Sequence, residues 1–185
     1  MRILVVPASK HGGTAEIGRA IARVLRDEGF DVDVSQPEHM HDLSIYAGFV
    51  LGSALYLGRW LPTAERFVRQ FDGAIRTRPT WLFSSGPLGP GHPPEPILAD
   101  ELDGLLTATA AVEHRVFGGR LEIDRLEGSD RFLATWIGVP ERDHRDWGEI
   151  EAWTRTVAAR LREAGTVAGG APNDGATTGR ERSES

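Results

Sequence analysis

"RILVVPASKHGGTAE", residues 2–16, joins an apolar run to the beginning of a helical pattern. Residues 2–6 are almost wholly apolar and rich in β-branched side chains, which is typical of a strand buried on both faces of a sheet. Residues 14–28 then carry apolar side chains at helical spacing, and Gly29 ends the helix. The two adjacent glycines between these elements allow a sharp backbone turn and the close approach of a ligand. The stretch therefore predicts a strand, a tight turn and a helix in direct succession.

Strand and helix patterns continue to alternate along the chain. Further strands are predicted at residues 30–35, 47–56, 80–85 and 113–119. Further helices are predicted after Pro62, over residues 96–111 and from Asp146 onward, with a mixed helix and loop pattern over residues 121–139. Because right-handed crossovers connect parallel strands, this order predicts an α/β fold, a doubly wound five-stranded parallel sheet with helices on both faces.

The length and composition are those of one globular domain. The chain has 185 residues, of which 40% are hydrophobic and 26% charged, which is ordinary for a globular protein with a buried core. We predict a single domain over residues 1–164. Residues 165–185 are small, polar and aperiodic, which indicates a disordered C-terminal tail.

Charge and cysteine content exclude several classes of function. A net charge of −6 argues against nucleic acid as a partner, because its binders normally present a basic surface. The chain contains no cysteine, which rules out disulfides, thiolate metal sites and cysteine nucleophiles and suits a reducing cytoplasm. No apolar run reaches the roughly 18 to 20 residues of a membrane span, and the first one is too short for a signal-peptide core. We therefore expect a cytoplasmic protein, and nothing positive supports membrane contact.

Glycines and hydroxyl side chains collect where the predicted strands end. Ligands of doubly wound sheets bind beyond the carboxyl ends of the strands, which here are residues 7–14, 53–60, 84–91 and 117–120. The amino end of a helix attracts anions through its unpaired N–H groups and its partial positive charge. Residues 9–14 could therefore wrap a terminal phosphate, although Ser9 and Thr14 could also do no more than cap the helix. The turn lacks both the G-x-G-x-x-G and the G-x-x-x-x-G-K-[ST] patterns of other phosphate sites.

The turn resembles the phosphate loop of the flavodoxins, whose pattern is roughly [ST]-x-[TSH]-G-[NSG]-T. The resemblance is closest to the flavodoxin-domain group that contains menaquinone-dependent protoporphyrinogen oxidase. "VLGSALYLGRW" (50–60) is similar to the second loop of that group, "VFGGRL" (116–121) to the end of its fifth strand, and "DWGEIEAWTRTVAARL" (146–161) to its closing helix. The resemblance implies a flavodoxin-like sheet and FMN as the cofactor.

The resemblance also implies which residues bind the flavin. The phosphate would lie at Ser9, Lys10, His11, Gly12, Gly13 and Thr14. The ring would lie between a second loop formed by Ser53, Ala54, Leu55, Tyr56, Leu57, Gly58 and Trp60, and a third loop formed by Ser84, Ser85, Gly86, Pro87, Leu88 and Gly89. Tyr56 or Trp60 would stack on the ring, the alternative being that both are core or interface residues.

Two arginines are candidates for further contacts. Arg59 and Arg120 could meet an anionic substrate or the phosphate, the alternative being that both are solvated surface residues. No side-chain acid or base is predicted to be catalytic, because the flavin itself would carry the chemistry. We predict no metal site, since the histidines of "HMH" (39–41) have no third ligand at a suitable spacing.

Three functional hypotheses follow from the resemblance. The preferred one is an FMN-dependent oxidoreductase that passes electrons between a small organic donor and a quinone-like acceptor, with protoporphyrinogen IX as the first candidate donor. The second is a flavodoxin-type electron carrier, and the third is a flavin-free domain that serves as a binding or regulatory module. The oligomeric state is left open.

Overall fold

A central sheet with helices on both faces organises the protein. The structure, a computed structural model, describes residues 1–86, 97–121 and 142–169. Its strands are β1 (Arg2–Ala8), β2 (Asp31–Val34), β3 (Gly48–Tyr56), β4 (Arg59–Trp60), β5 (Thr80–Gly86), β6 (Glu113–Gly118), β7 (Arg120–Leu121) and β8 (Arg142–Asp143). Its helices are α1 (Gly13–Asp27), α2 (Pro62–Gln70), α3 (Asp72–Ile75), α4 (Ala99–Thr109) and α5 (Trp147–Gly169), with a 3₁₀ helix at Pro37–His39.

The sheet has the predicted parallel arrangement. Its strand order is β2-β1-β3-β5-β6, and all four pairings along this path are parallel. The short strand β4 turns back from β3 and pairs with it antiparallel, while β7 and β8 form a separate antiparallel pair. The prediction of five parallel strands in a doubly wound α/β fold is therefore confirmed. The carboxyl ends of β1, β3 and β5 lie side by side, where the order reverses.

Each face of the sheet carries its own apolar core. Successive strand residues point to opposite faces, so Ile3 and Val5 of β1 pack with α1 and α5, while Leu4 and Val6 pack with α2, α3 and α4. Burying each such aliphatic side chain contributes about 1.5 to 3 kcal/mol to folding. The two cores explain why the central strands β1, β3 and β5 are apolar along most of their length rather than alternating.

The closing helix begins as its sequence predicts. The Asp146 side chain accepts a hydrogen bond from the main-chain N–H of Glu149 at 3.0 Å, as an N-terminal cap does. The helix continues to Gly169, so residues 165–169 are helical and do not belong to a disordered tail, contrary to the prediction. The remainder of that tail lies outside the described residues, as do most of the mixed pattern at 121–139 and Pro87, Leu88 and Gly89 of the third loop. Among the described helices, none has both the length and the apolar character that crossing a bilayer requires.

Candidate cofactor site at the carboxyl edge of the sheet

The turn between β1 and α1 has the backbone geometry of an anion site. Gly12 has a φ of +88°, in the left-handed region that favours glycine. Its N–H donates to Ser9 Oγ at 3.0 Å, and its carbonyl accepts the first intrahelical bond, from Glu16 N at 3.0 Å. Residues 13–15 precede that bond, so their three N–H groups have no partner within the helix. These donors and the helix dipole point toward the space above the turn.

A pair of buried hydroxyls connects this turn to the third loop. Thr14 Oγ1 and Ser85 Oγ lie 2.7 Å apart, and both residues are buried. Only one hydrogen is needed to form the bond between two hydroxyls, so the pair retains a second hydrogen that can be donated to a third group. This juxtaposition of residues 71 positions apart brings together two of the predicted loops.

The β3–β4 hairpin presents an apolar tip beside the turn. Leu57 and Gly58 form its two-residue loop, with φ values of +51° and +74°, as a type I′ turn requires. Leu57 is 84% exposed and Tyr56 39% exposed. A left-handed leucine is strained, and such strain concentrates at functional sites. The tip is an exposed apolar projection on an otherwise hydrogen-bonded loop.

The hairpin is held from three sides. Leu61 N donates to Ser53 Oγ at 2.9 Å, which closes the hairpin at its base. Leu98 N, just before α4, donates to the carbonyl of Gly58 at 2.9 Å. Trp60 Nε1 donates to Ser84 Oγ at 2.8 Å. These main-chain and buried side-chain hydrogen bonds help to position the tip.

The hairpin and the phosphate-loop candidate face each other. Lys10 Nζ lies 5.3 Å from the centroid of the Tyr56 ring, and His11 Nε2 lies 3.2 Å from the Tyr56 hydroxyl. The structure thus brings together the first and second predicted loops at one edge of the sheet. Among the residues of the second loop, Tyr56 and Leu57 are exposed, whereas Leu55 and Gly58 are buried and Ala54 is half-buried.

Trp60 belongs to the core, so its predicted stacking on the ring is wrong. Its side chain is 2% exposed and packs among the apolar residues beneath α2 and α4. Ser84 is also fully buried, because it lies between the indole N–H of Trp60 and His114 Nε2, 2.8 Å from each. Neither side chain faces the space beside the turn. Among the described residues of the second and third loops, Tyr56 and Leu57 are exposed and Ser85 lies beside Thr14, whereas the side chains of Trp60 and Ser84 are enclosed in the core.

His114 gives the free energy of unfolding a pH dependence that can be measured. Burial lowers the pKa of His114 from 6.5 to about 4. An indole N–H can only donate, so Ser84 accepts from Trp60 and can donate to neutral His114. Between pH 6.5 and 4 the unfolded chain binds more protons at this site. The contribution of neutral His114 to the free energy of unfolding should be fully present above pH 6.5. The free energy of unfolding should fall by about 2 to 3 kcal/mol as the pH drops toward 4.

Urea unfolding between pH 7 and pH 4 measures this loss, with His114→Gln as the control because glutamine does not titrate there. The His114→Gln variant should lose less stability across the same window. Equal pH slopes for the native protein and the variant would contradict the assignment.

The two arginines predicted to contact a ligand are engaged in ion pairs. Arg59 bonds Glu101 at 3.0 Å and Asp100 at 3.3 Å, both at the start of α4. Arg120 Nη2 bonds Glu16 Oε1 at 2.9 Å. Arg59 therefore ties the hairpin to α4, and Arg120 ties β7 to the first turn of α1.

The sequence patterns did not reveal a charged cluster behind the phosphate-loop candidate. The Arg145 side chain is 2% exposed and bonds Glu16 Oε2 and Asp143 Oδ1, each at 2.7 Å. These bonds from Arg145 lower the pKa of Asp143, and the hydrogen bond to Asp143 raises the pKa of Arg145. Asp143 lies two positions before Arg145, whereas Glu16 lies 129 positions away. The link from Arg145 to α1 therefore carries no local sequence signal.

The donor set fits a phosphorylated ligand with an apolar ring. Helix N–H groups without a partner in their own helix and a hydroxyl hydrogen suit a phosphate, and Tyr56 with Leu57 provides an apolar surface next to it. Among the described residues, no three side chains of the histidine, aspartate or glutamate type are grouped closely enough to hold a metal ion.

Solved structures share this fold. A flavodoxin from the domain Archaea aligns with 88% of this chain and 99% of its own, at a TM-score of 0.60 and 14% identity. Rubredoxin oxygen:oxidoreductase from Desulfovibrio gigas aligns with 88% of this chain at a TM-score of 0.56 and 14% identity, and a flavone reductase with 93% at 0.56 and 11%. The chain matches only 36% of the Desulfovibrio protein and 65% of the flavone reductase. At these identities the likeness shows the fold alone.

Sequence comparison shows the family. A search among curated proteins finds no match. A family model described as "Flavodoxin domain" matches residues 4–146, most of the chain and all five parallel strands. The chain therefore belongs to the flavodoxin domain family, and its indicated cofactor is FMN.

Proposed function

We propose that this protein is an FMN-dependent oxidoreductase that passes electrons between a small organic donor and a quinone-like acceptor. One observation carries the proposal: the glycine turn and the Tyr56–Leu57 tip face each other across the carboxyl edge of the sheet. One ligand could therefore contact both a phosphate-binding turn and an apolar surface for a ring. The family match supports FMN as that ligand.

The phosphate would be held mainly by neutral donors. We assign it to Ser9, Lys10, His11, Gly12, Gly13 and Thr14, as the resemblance implies. The N–H groups of residues 13–15 and the Thr14–Ser85 hydroxyl pair provide hydrogen bonds, each worth about 1.5 to 3 kcal/mol to a charged group. Ser9 also fixes the turn, because its hydroxyl oxygen accepts a hydrogen bond from Gly12 N.

The ring would lie against the hairpin tip. Tyr56 and Leu57 expose apolar surface there, and an aromatic pair adds about 0.5 to 1.5 kcal/mol beyond burial. Main-chain groups of residues 53–58 and 85–89 would bond its polar edge and so tune its reduction potential. When bound, FMN supplies one- and two-electron transfer; the chain's own residues bind it, orient it and limit its access to water.

The identity of the redox partners is inferred from chemistry and resemblance. An exposed leucine in a strained loop suits contact with an apolar partner such as a quinone. Protoporphyrinogen IX is the first candidate donor because of the three similar segments at 50–60, 116–121 and 146–161. We infer a cytoplasmic protein, since a reducing compartment suits a chain without cysteine.

A flavodoxin-type electron carrier is the second candidate. It is favoured by the archaeal flavodoxin, nearly all of which aligns with this chain. An electron carrier needs the same phosphate-binding turn and the same surface for the flavin ring, but it needs no substrate pocket of its own. The two candidates therefore differ in turnover and not in FMN binding.

Two measurements test the proposal. The purified protein should be yellow, or should bind added FMN with quenching of the flavin fluorescence. Under anaerobic conditions it should oxidise protoporphyrinogen IX with a soluble menaquinone analogue as the acceptor. A protein that takes up no FMN would overturn both redox candidates and favour a flavin-free module. FMN binding without turnover, together with rapid one-electron exchange with a reductase, would favour the carrier.

A further inference from the structure

Arg145 is buried against the turn that we assign to the phosphate. Its guanidinium is 2% exposed and donates from Nη1 to Glu16 Oε2 and from Nε to Asp143 Oδ1, each at 2.7 Å. Its Cζ also lies 4.5 Å from the centroid of the Trp147 ring. Arginine is rarely buried unless it is paired, and here three neighbours fix its plane.

Glu16 is the point at which this arginine reaches α1. Its second oxygen, Oε1, accepts from Arg120 Nη2 at 2.9 Å, so two guanidiniums hold one carboxylate. The N–H of Glu16 donates to the carbonyl of Gly12 at 3.0 Å. A residue that closes the first turn of α1 is therefore anchored to residues 104 and 129 positions away.

The backbone around the cluster lies against the turn. A Cβ built on Gly13 would lie 3.6 Å from the carbonyl oxygen of Arg120. Arg120 pairs in turn with Asp143 across the β7–β8 ladder. The ladder that carries Arg120 and Asp143 thus lies directly against the turn, and the ion pairs fix their relative position.

Among the described residues of the cluster, the carboxylates of Glu16 and Asp143 are paired with the guanidiniums of Arg120 and Arg145. Without an arginine, the Glu16 carboxylate in the first turn of α1 would repel a phosphate bound at the same helix end. Buried ion pairs add little net stability, because desolvation offsets their attraction. Their clearest effect here is on geometry and local charge.

We propose that Arg145 is a positioning residue for the phosphate turn, acting through Glu16, and that this pair lets the site select the monophosphorylated flavin over unphosphorylated riboflavin. The inference rests on the proposed function, namely FMN bound with its phosphate at residues 9–14. It adds a residue that touches neither the phosphate nor the ring.

Comparing two ligands separates this role from a structural one. FMN and riboflavin share the ring and the ribityl chain and differ only in the phosphate. Both are titrated into flavin-free protein, with fluorescence quenching as the signal. The Arg145→Met variant should bind FMN about tenfold more weakly, as expected for the loss of one hydrogen bond to a charged group. Its riboflavin affinity should stay within about twofold of the native value, because ring contacts are unchanged.

Glu16→Gln is the second variant, because it leaves the Arg145–Asp143 pair intact. The double variant combines Arg145→Met with Glu16→Gln. If Arg145 acts through Glu16, the double variant should lose no more FMN affinity than whichever single variant binds FMN more weakly. Arg162→Met is the matched control. It removes a link between α5 and the other end of α1, where Arg162 Nη2 bonds the carbonyl of Glu28 at 2.8 Å, and it should leave the ratio of FMN to riboflavin affinity unchanged.

The outcomes distinguish the two proposals. A native ratio of affinities in Arg145→Met, or additive losses in the double variant, would overturn the positioning role while leaving FMN binding intact. Native protein that binds neither flavin would overturn the proposed function and the positioning role together.

Discussion

We expect the Gly12→Val variant to bind FMN about a hundredfold more weakly than the native protein, the effect of losing one to two hydrogen bonds to a charged group. Gly12 has a φ of +88°, and a β-branched residue is a genuine outlier in that region. To relieve the strain the turn must rotate, which redirects the N–H groups of residues 13–15 and moves Gly12 away from Ser9 Oγ. Titration of the flavin-free variant with FMN measures the loss.

Gly29 supplies a matched control at the opposite end of the same helix. Its φ is +91°, and no neighbouring atom lies within 4 Å of a Cβ built there. Gly29→Val should therefore impose similar backbone strain on α1, about 1 to 2 kcal/mol, while FMN affinity stays native. Equal FMN affinity in the two variants would show that the turn does not bind the phosphate, whatever their stabilities.

The fold was predictable because its central strands are buried on both faces. Five strand patterns, most of them separated by helical patterns, allow little else than a parallel sheet with crossovers. The largest error in a strand boundary occurred at Pro7, where the predicted first strand stopped. β1 continues through it to Ala8, with Pro7 opposite Gly52 of β3. The α1 helix can pack against the Pro7 ring because Gly18 has no side chain. A Cβ on Gly18 would lie 2.7 Å from Pro7 Cγ.

The candidate site was predictable only where local pattern decides it. The glycine turn is such a case, because the helix start follows from the sequence within a few residues. Trp60 is not, because its burial depends on how the hairpin folds onto Ser84. From sequence alone an aromatic residue in a binding loop looks the same in the core and at a surface. Leu98 lies within the helix predicted over 96–111, but it is 41% exposed and α4 begins only at Ala99.

Long-range charge pairs mark the limit of what a single sequence can show. Arg145 and Glu16 are 129 positions apart, and their distance depends on β6, the β7–β8 ladder and α1 together. Sequence spacing suggests ion pairs only between neighbours on one helix. The cluster that we assign to positioning the phosphate turn thus becomes visible only in three dimensions.

Adding a single methyl group should lower the free energy of unfolding most at the contact between β6 and the segment before α5. A Cβ on Gly118 would lie 2.0 Å from the carbonyl oxygen of His144 and 2.7 Å from its carbon. Both are main-chain atoms, so no side-chain rotation can relieve the overlap. We expect Gly118→Ala to lower the free energy of unfolding by about 3 kcal/mol, the upper range for overpacking. The thermal midpoint should fall by roughly 6 to 12 °C in a protein of this size.

Gly104→Ala is the control for the same chemical change. Gly104 lies inside α4, and no atom lies within 4 Å of a Cβ built there. Alanine in a helix interior is favoured over glycine by about 0.5 to 1 kcal/mol, so this variant should melt slightly above the native protein. Both variants are compared without flavin, because bound ligand would itself raise the midpoint. If Gly118→Ala has the native melting temperature, β6 is not in the described contact with His144. In that case the β7–β8 ladder, which contains Asp143, would not lie against the phosphate turn as described.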